Sequence, residues 1–192
     1  VFIGKMIPGR GAWLEFDTDK RDTLGVRVDR KRRQHITGFL MALDVIENKE
    51  DAIDLLGDYP SVRNTIERDP DTSREAALID LYRKLRPGEP ATVESAKNLV
   101  KQMFYTPKRY DLTKVGRYKV EQKLGRQYGE KDAESYTTED DGMLRIEDMI
   151  DSIKYVIALH AGEDSFINNK GKEIPVRLDD IDHFGNRRIR TV

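Results

Sequence analysis

The apolar residues change their spacing at about residue 35, and that change limits the folds open to this chain. Before it, Leu24, Val26 and Val28 alternate with polar neighbours, the two-residue period of a half-buried antiparallel strand. Short extended runs at 1–3, 6–7 and 13–16 are separated by a Pro8-Gly9-Arg10-Gly11 turn and followed by a polar loop over 17–22. After residue 35 the spacing becomes helical. Thr72 with Glu75 has the form of a capping box, and Leu78, Leu81, Tyr82 and Leu85 follow on one face. Thr92 is placed to cap a second helix with the stripe Ala96, Leu99, Val100, Met103 and Phe104, stopped before Pro107. The longest stripe, Ile146, Met149, Ile150, Ile153, Val156 and Ile157, runs to His160, with Gly162 placed as C-terminal cap. These stripes are one-sided, so they predict helices packed on a core. Asn168-Asn169-Lys170-Gly171 between two apolar pairs predicts a hairpin, and the polar stretch 126–142 a mobile loop. The expected class is α+β: a mostly helical domain over 1–192 with a small N-terminal antiparallel sheet. Its portions are 1–33 (sheet), 34–162 (helical) and 163–192 (hairpin and return segment).

Charge is strongly segregated beneath a formal net charge of −1. Residues 1–35 carry nine Lys/Arg against five Asp/Glu, and 81–126 twelve against four. Residues 44–80 and 127–170 each carry four against eleven. Such a field can steer a polyanion to one face and repel it from others; solvated helix faces would give the same counts. Cysteine is absent, which removes disulfides and thiolate metal sites and fits a reducing cytoplasm. No apolar run approaches the roughly 18 residues of a membrane span. The abrupt, unpolar ends predict a piece of a longer chain.

Catalytic chemistry finds little support. Asp179, Asp180, Asp182 and His183 are the most metal-like group, and a metal-dependent phosphoryl-transfer enzyme would use them. Arg187, Arg188 and Arg190 follow closely and compete for those carboxylates. His35, His160 and His183 lie near no activated serine in sequence, His160 being placed as a helix-dipole partner. The glycine-bearing turns lack the lysine and Ser/Thr of a phosphate loop. Nucleic-acid binding fares better. Arg30-Lys31-Arg32-Arg33 follows a strand, and the only tryptophan, Trp13, lies near Arg10. Cations for phosphates with an aromatic for stacking is the equipment for melted DNA, although a lone tryptophan is more often a core residue. A free-standing helical DNA-binding regulator built on 81–126 is the rival reading.

Four stretches make the resemblance specific. They are residues 7–16 with 26–33; Tyr82-Arg83-Lys84-Leu85-Arg86-Pro87-Gly88-Glu89-Pro90; Arg109–Leu112 running into 115–119; and 179–190. In this order they resemble the lobe of the β subunit of bacterial DNA-dependent RNA polymerase. Some family members carry a long insertion before the Arg-Pro-Gly-Glu-Pro stretch, where this chain has only the acidic residues 44–71. The resemblance implies a nucleotidyltransferase subunit with no catalytic residue in this stretch, because aspartates of another subunit hold the Mg²⁺. It implies as partners promoter DNA (non-template strand and downstream duplex), the β′, α and ω subunits, and σ or other transcription factors. It also implies a cytoplasmic location, at the nucleoid. The tryptophan matching Trp13 stacks on a non-template base, and residues matching Ile181, Asp182 and Arg187 line a pocket for an unpaired guanine. Asp29, Arg30, Lys31, Arg32 and Arg190 complete the expected DNA-binding set. No cofactor is expected in this stretch.

Overall fold

The computed structural model describes residues 1–126, 133–136 and 138–179. Strands β1 (Ile3–Met6), β2 (Leu14–Thr18), β3 (Leu24–Val28) and β4 (Gln34–His35) form an antiparallel meander in sequence order. The register pairs Leu14 with Val28, Phe16 with Val26 and Thr18 with Leu24. This puts Met6, Leu14, Phe16, Leu24, Val26 and Val28 on the buried face. The chain then enters α1 (Ile36–Ala42), α2 (Ala52–Leu56), α3 (Pro60–Arg68), α4 (Arg74–Leu85), α5 (Val93–Phe104) and α6 (Thr113–Lys123). A short helix, α7 (Glu139–Gly142), precedes the long α8 (Ile146–Ala161), and β5 (Ser165–Ile167) pairs with β6 (Glu173–Pro175). The α+β class expected from the spacing is the one observed.

Local details depart from the sequence expectation. The helix expected to start behind Thr72 is capped by Ser73, whose hydroxyl accepts the Ala76 N–H. Just upstream, the Asp69 carboxylate accepts the Asp71 N–H and the Thr37 hydroxyl in a buried turn, and the helix begins at Arg74 with Ser73 as its cap. The first strand is continuous over Ile3–Met6 instead of broken into two runs. Of the stretch 126–142 expected to be a mobile loop, 127–132 and 137 lie outside the described residues; 139–142 is helical, with the Asp141 carboxylate reaching back to Thr138. Thr92 and Gly162 cap their helices as expected, Gly162 at φ 74°.

Helix α8 lies across β1 and β2, so close at Gly4 that a Cβ there would stand 2.8 Å from a Val156 methyl. Its first turns meet α6 through charge. Arg117 is fully buried, and each of its five N–H groups has an acceptor. Nε donates to the Asp141 carbonyl, and Nη1 to Glu121 (3.0 Å) and Asp148 (2.8 Å). Nη2 donates to the Met143 carbonyl and the other Asp148 oxygen. Arg126 adds a second guanidinium on Asp148 and approaches Asp151 at 3.7 Å. Burial alone would raise the Asp148 pKa, but hydrogen bonds and charge from Arg117, with the Arg126 charge, outweigh it and hold the pKa low. Asp148→Ala leaves two buried guanidinium groups short of a counter-charge. It is expected to cost about 3–5 kcal/mol of unfolding free energy in urea denaturation.

Asp71 behaves oppositely. Burial, reinforced by the neighbouring Asp69 and Asp80 charges, raises its pKa from 3.8 to about 6, against the opposing influence of Gln34 and Lys84. The folded chain therefore keeps a proton that the unfolded chain releases. Stability from this group is full below about pH 4 and declines as pH rises through about 6. Asp71→Asn is expected to flatten this decline when denaturation midpoints are compared from pH 4 to 7.

Candidate nucleic-acid interface

Trp13 stands just before β2, where the chain leaves the Gly9-Arg10-Gly11 turn. That turn is pinned by residues about a hundred positions further along the chain. Arg10 and Asp111 exchange two backbone hydrogen bonds (3.0 and 2.8 Å), and the Arg10 guanidinium donates to the Pro107 carbonyl. Gly11, at φ 121°, lies against Tyr110 and the Arg109 carbonyl, and a Cβ would come within 2.9 Å of both. The segment carrying Arg109 and the segment carrying Trp13 are thereby held together.

The indole is half-buried, neither a core residue nor a free one. Its backbone N–H donates to the Asp29 carboxylate at 2.8 Å, and its carbonyl accepts the Asp29 N–H at 2.9 Å. The Arg30 guanidinium lies over the ring, 4.7 Å from its centroid. Asp29, Arg30, Lys31 and Arg32 are all exposed on the turn after β3. The fourth cation of the run is different. Arg33 folds back across Gly25, with Nε 2.5 Å from Asp17 and Nη2 donating to the Thr23 carbonyl at 3.0 Å. It is part of the sheet and not of the basic surface.

Beside this turn opens a cleft of about 430 Å³. Leu85, Leu99 and Met103 give it an apolar floor; Lys31, Arg86 and Arg109 bring three cations to it, and Asp29 and Glu89 two acids. The Arg86–Glu89 turn is braced by Tyr82, whose hydroxyl donates to Glu89 at 3.0 Å, and Gly88 turns it at φ 86°. Arg86 and Arg109 were not picked out as site residues from sequence. The only signal for them was the excess of cations over 81–126, which does not say which of them face the strand. A cleft of this make-up can hold a sugar–phosphate segment by charge and a base by its floor.

Ile181, Asp182, Arg187 and Arg190, and with them Asp180 and His183, lie outside the described residues. Asp179 is described and pairs with Lys123 at 3.0 Å. Among the described residues no three His, Asp or Glu side chains converge as a metal site would need. His160, at the end of α8, has Nε2 2.5 Å from an Asp22 oxygen.

The family model described as RNA polymerase Rpb2, domain 2, matches residues 2–190, and the chain belongs to that family. It is 51% identical over 192 residues to the DNA-directed RNA polymerase subunit beta of Streptomyces avermitilis, and 50% identical to that of Streptomyces coelicolor. To the same subunit of Arthrobacter sp. it is 49% identical over 197 residues. Each match covers the whole chain and 16% of the relative.

The two kinds of cation in 30–33 separate experimentally. Arg33→Ala leaves Asp17 short of its closest partner and should destabilise the fold by about 1–3 kcal/mol. Lys31→Ala and Arg32→Ala should stay within about 0.5 kcal/mol of the parent. If these two meet phosphates, each should lower the log–log salt slope of DNA binding by about 1.

Proposed function

We propose that this chain is the DNA-gripping lobe of a bacterial RNA polymerase β subunit, working inside a nucleotidyltransferase whose chemistry lies elsewhere in the assembly. The observation that carries this reading is the corner at Trp13: a half-exposed indole backed by Arg30, next to a cleft with three cations. In this reading the lobe contacts the non-template strand and downstream duplex of promoter DNA. It packs among β′, α and ω and offers surface to σ and other transcription factors, at the nucleoid. The Mg²⁺ of the reaction is held by aspartates of another subunit, and residues here bind and orient DNA without touching the reacting atoms.

Trp13 supplies a stacking surface for an unpaired base, worth roughly 1–3 kcal/mol per base. Trp13→Ala in the assembled enzyme should therefore shorten the lifetime of open promoter complexes while leaving elongation rates nearly unchanged. Unaltered open-complex lifetimes would remove the stacking role.

The terminal segment supplies a second contact in this reading. An unpaired guanine presents N1–H and N2–H₂ as donors, which one carboxylate accepts together. Asp182 fills that role, Ile181 packs on the base, and Arg187 pairs with Asp182 and keeps it ionised. A base without those donors loses about 1–3 kcal/mol. Open-complex lifetimes on promoters carrying each of the four bases at one non-template position measure this. Asp182→Ala should abolish the advantage of guanine; an equal shortening on all four bases would make Asp182 a structural residue of its turn.

A further inference from the structure

The turn after β3 has a backbone its sequence does not favour. Asp29 and Arg30 both have positive φ, 49° and 57°, and the Lys31 N–H closes the turn on the Val28 carbonyl at 3.0 Å. Two successive left-handed residues are what the primed two-residue turns need, and Asn-Gly or Asp-Gly is the pair that adopts them readily. Aspartate is tolerated there; arginine, with a full side chain at φ 57°, is not a residue that turn geometry selects. What Arg30 does from this position is lie over the Trp13 ring.

Asp29 is equally committed. In a regular antiparallel pair it would accept the Trp13 N–H with its backbone carbonyl. The left-handed turn redirects that carbonyl, and the Asp29 carboxylate accepts the N–H in its place, while the Asp29 N–H still reaches the Trp13 carbonyl. One residue thus fixes the backbone of Trp13 and the next covers one face of its ring.

We propose that Asp29 and Arg30 are positioning residues, a left-handed pair that holds Trp13 as a one-sided platform and leaves its other face for an unpaired nucleobase. This deepens the stacking role assigned to Trp13 above and rests on it for the identity of the ligand. The exposed run is thereby divided in two, since Asp29 and Arg30 serve the indole while Lys31 and Arg32 remain for phosphates.

Trp13 is the only tryptophan, so its emission reports this corner alone. Arg30→Gly should fold with a denaturation midpoint equal to or above that of the parent chain, since glycine is at ease at this φ. Acrylamide quenching of Trp13, measured without DNA, should rise toward that of a free indole. Affinity for a short single-stranded oligodeoxynucleotide should fall about fivefold, the lower end of what stacking contributes. Arg30→Lys keeps the charge but not the planar group, and should restore neither readout. Asp29→Asn, which keeps an acceptor in a residue suited to the left-handed region, should match the parent, and Asp29→Ala should resemble Arg30→Gly in quenching. The proposal is overturned by unchanged quenching in Arg30→Gly, by a lowered midpoint in that variant, or by full rescue with lysine. Indistinguishable Asp29→Asn and Asp29→Ala variants would also overturn it. If Trp13→Ala does not weaken oligonucleotide binding, the DNA reading fails, while the quenching series still decides the positioning role.

Discussion

Arg117 carries a full charge into the interior, and α6, α7, the start of α8 and the β5–β6 hairpin are brought together in satisfying it. A buried guanidinium is tolerated only if its five N–H groups and its charge are all met. Meeting them draws in Glu121 from the next turn of α6, the Asp141 and Met143 carbonyls from the end of α7, and Asp148 from the start of α8. Arg126 extends the cluster to Asp151, whose other oxygen accepts the Asn169 N–H of the β5–β6 hairpin. Elements with little apolar surface of their own, α7 and the hairpin turn, are thus located by directional bonds. Fork-shaped donors meeting carboxylates fix angles as well as distances, which a purely apolar contact would not.

The same segment reaches the surface at its other end. Leu112 donates to the Gly142 carbonyl, Asp111 bridges to Arg10, and Tyr110 packs beside Gly11. From there the chain runs through Ala12 to Trp13, opposite Asp29 and just ahead of β2. The basic corner is therefore tied through Asp111 and Leu112 to the segment that the ion cluster organises, with the backbone next to Trp13 and Arg109 held by the Arg10–Asp111 pair. A binding surface held in this way loses little side-chain freedom when occupied.

The elements legible in the sequence were those whose burial is one-sided: α4, α5, α8 and the strands around Phe16 and Val26 show their period because one face meets water. Helix α1 hid for the opposite reason. Ile36 to Ala42 are all buried, so no polar face exists to mark the period, and β4 is too short to show one. Charge misled in a parallel way. Arg33 and Arg117 look like surface residues in a sequence so rich in arginine and lysine, yet one is folded onto the sheet and the other enclosed. Only partners distant in sequence decide this, Asp17 for the first and Asp148 for the second. At the site, Trp13 and the run after β3 could be found because they are neighbours on one hairpin. Arg86 and Arg109 join them only through the packing of α4 and α5.

The bridge between Arg10 and Asp111 spans about a hundred residues of chain. Closing so long a loop is costly in entropy until the intervening helices have condensed. During synthesis the meander β1–β4 can form early from local contacts, with Trp13 and its turn already made. The Gly9-Arg10-Gly11 loop then has no partner until residue 111 has left the ribosome, roughly 5–20 seconds later at ordinary elongation rates. Throughout that interval the Gly9-Arg10-Gly11 loop lacks the backbone partner that holds it in the finished fold.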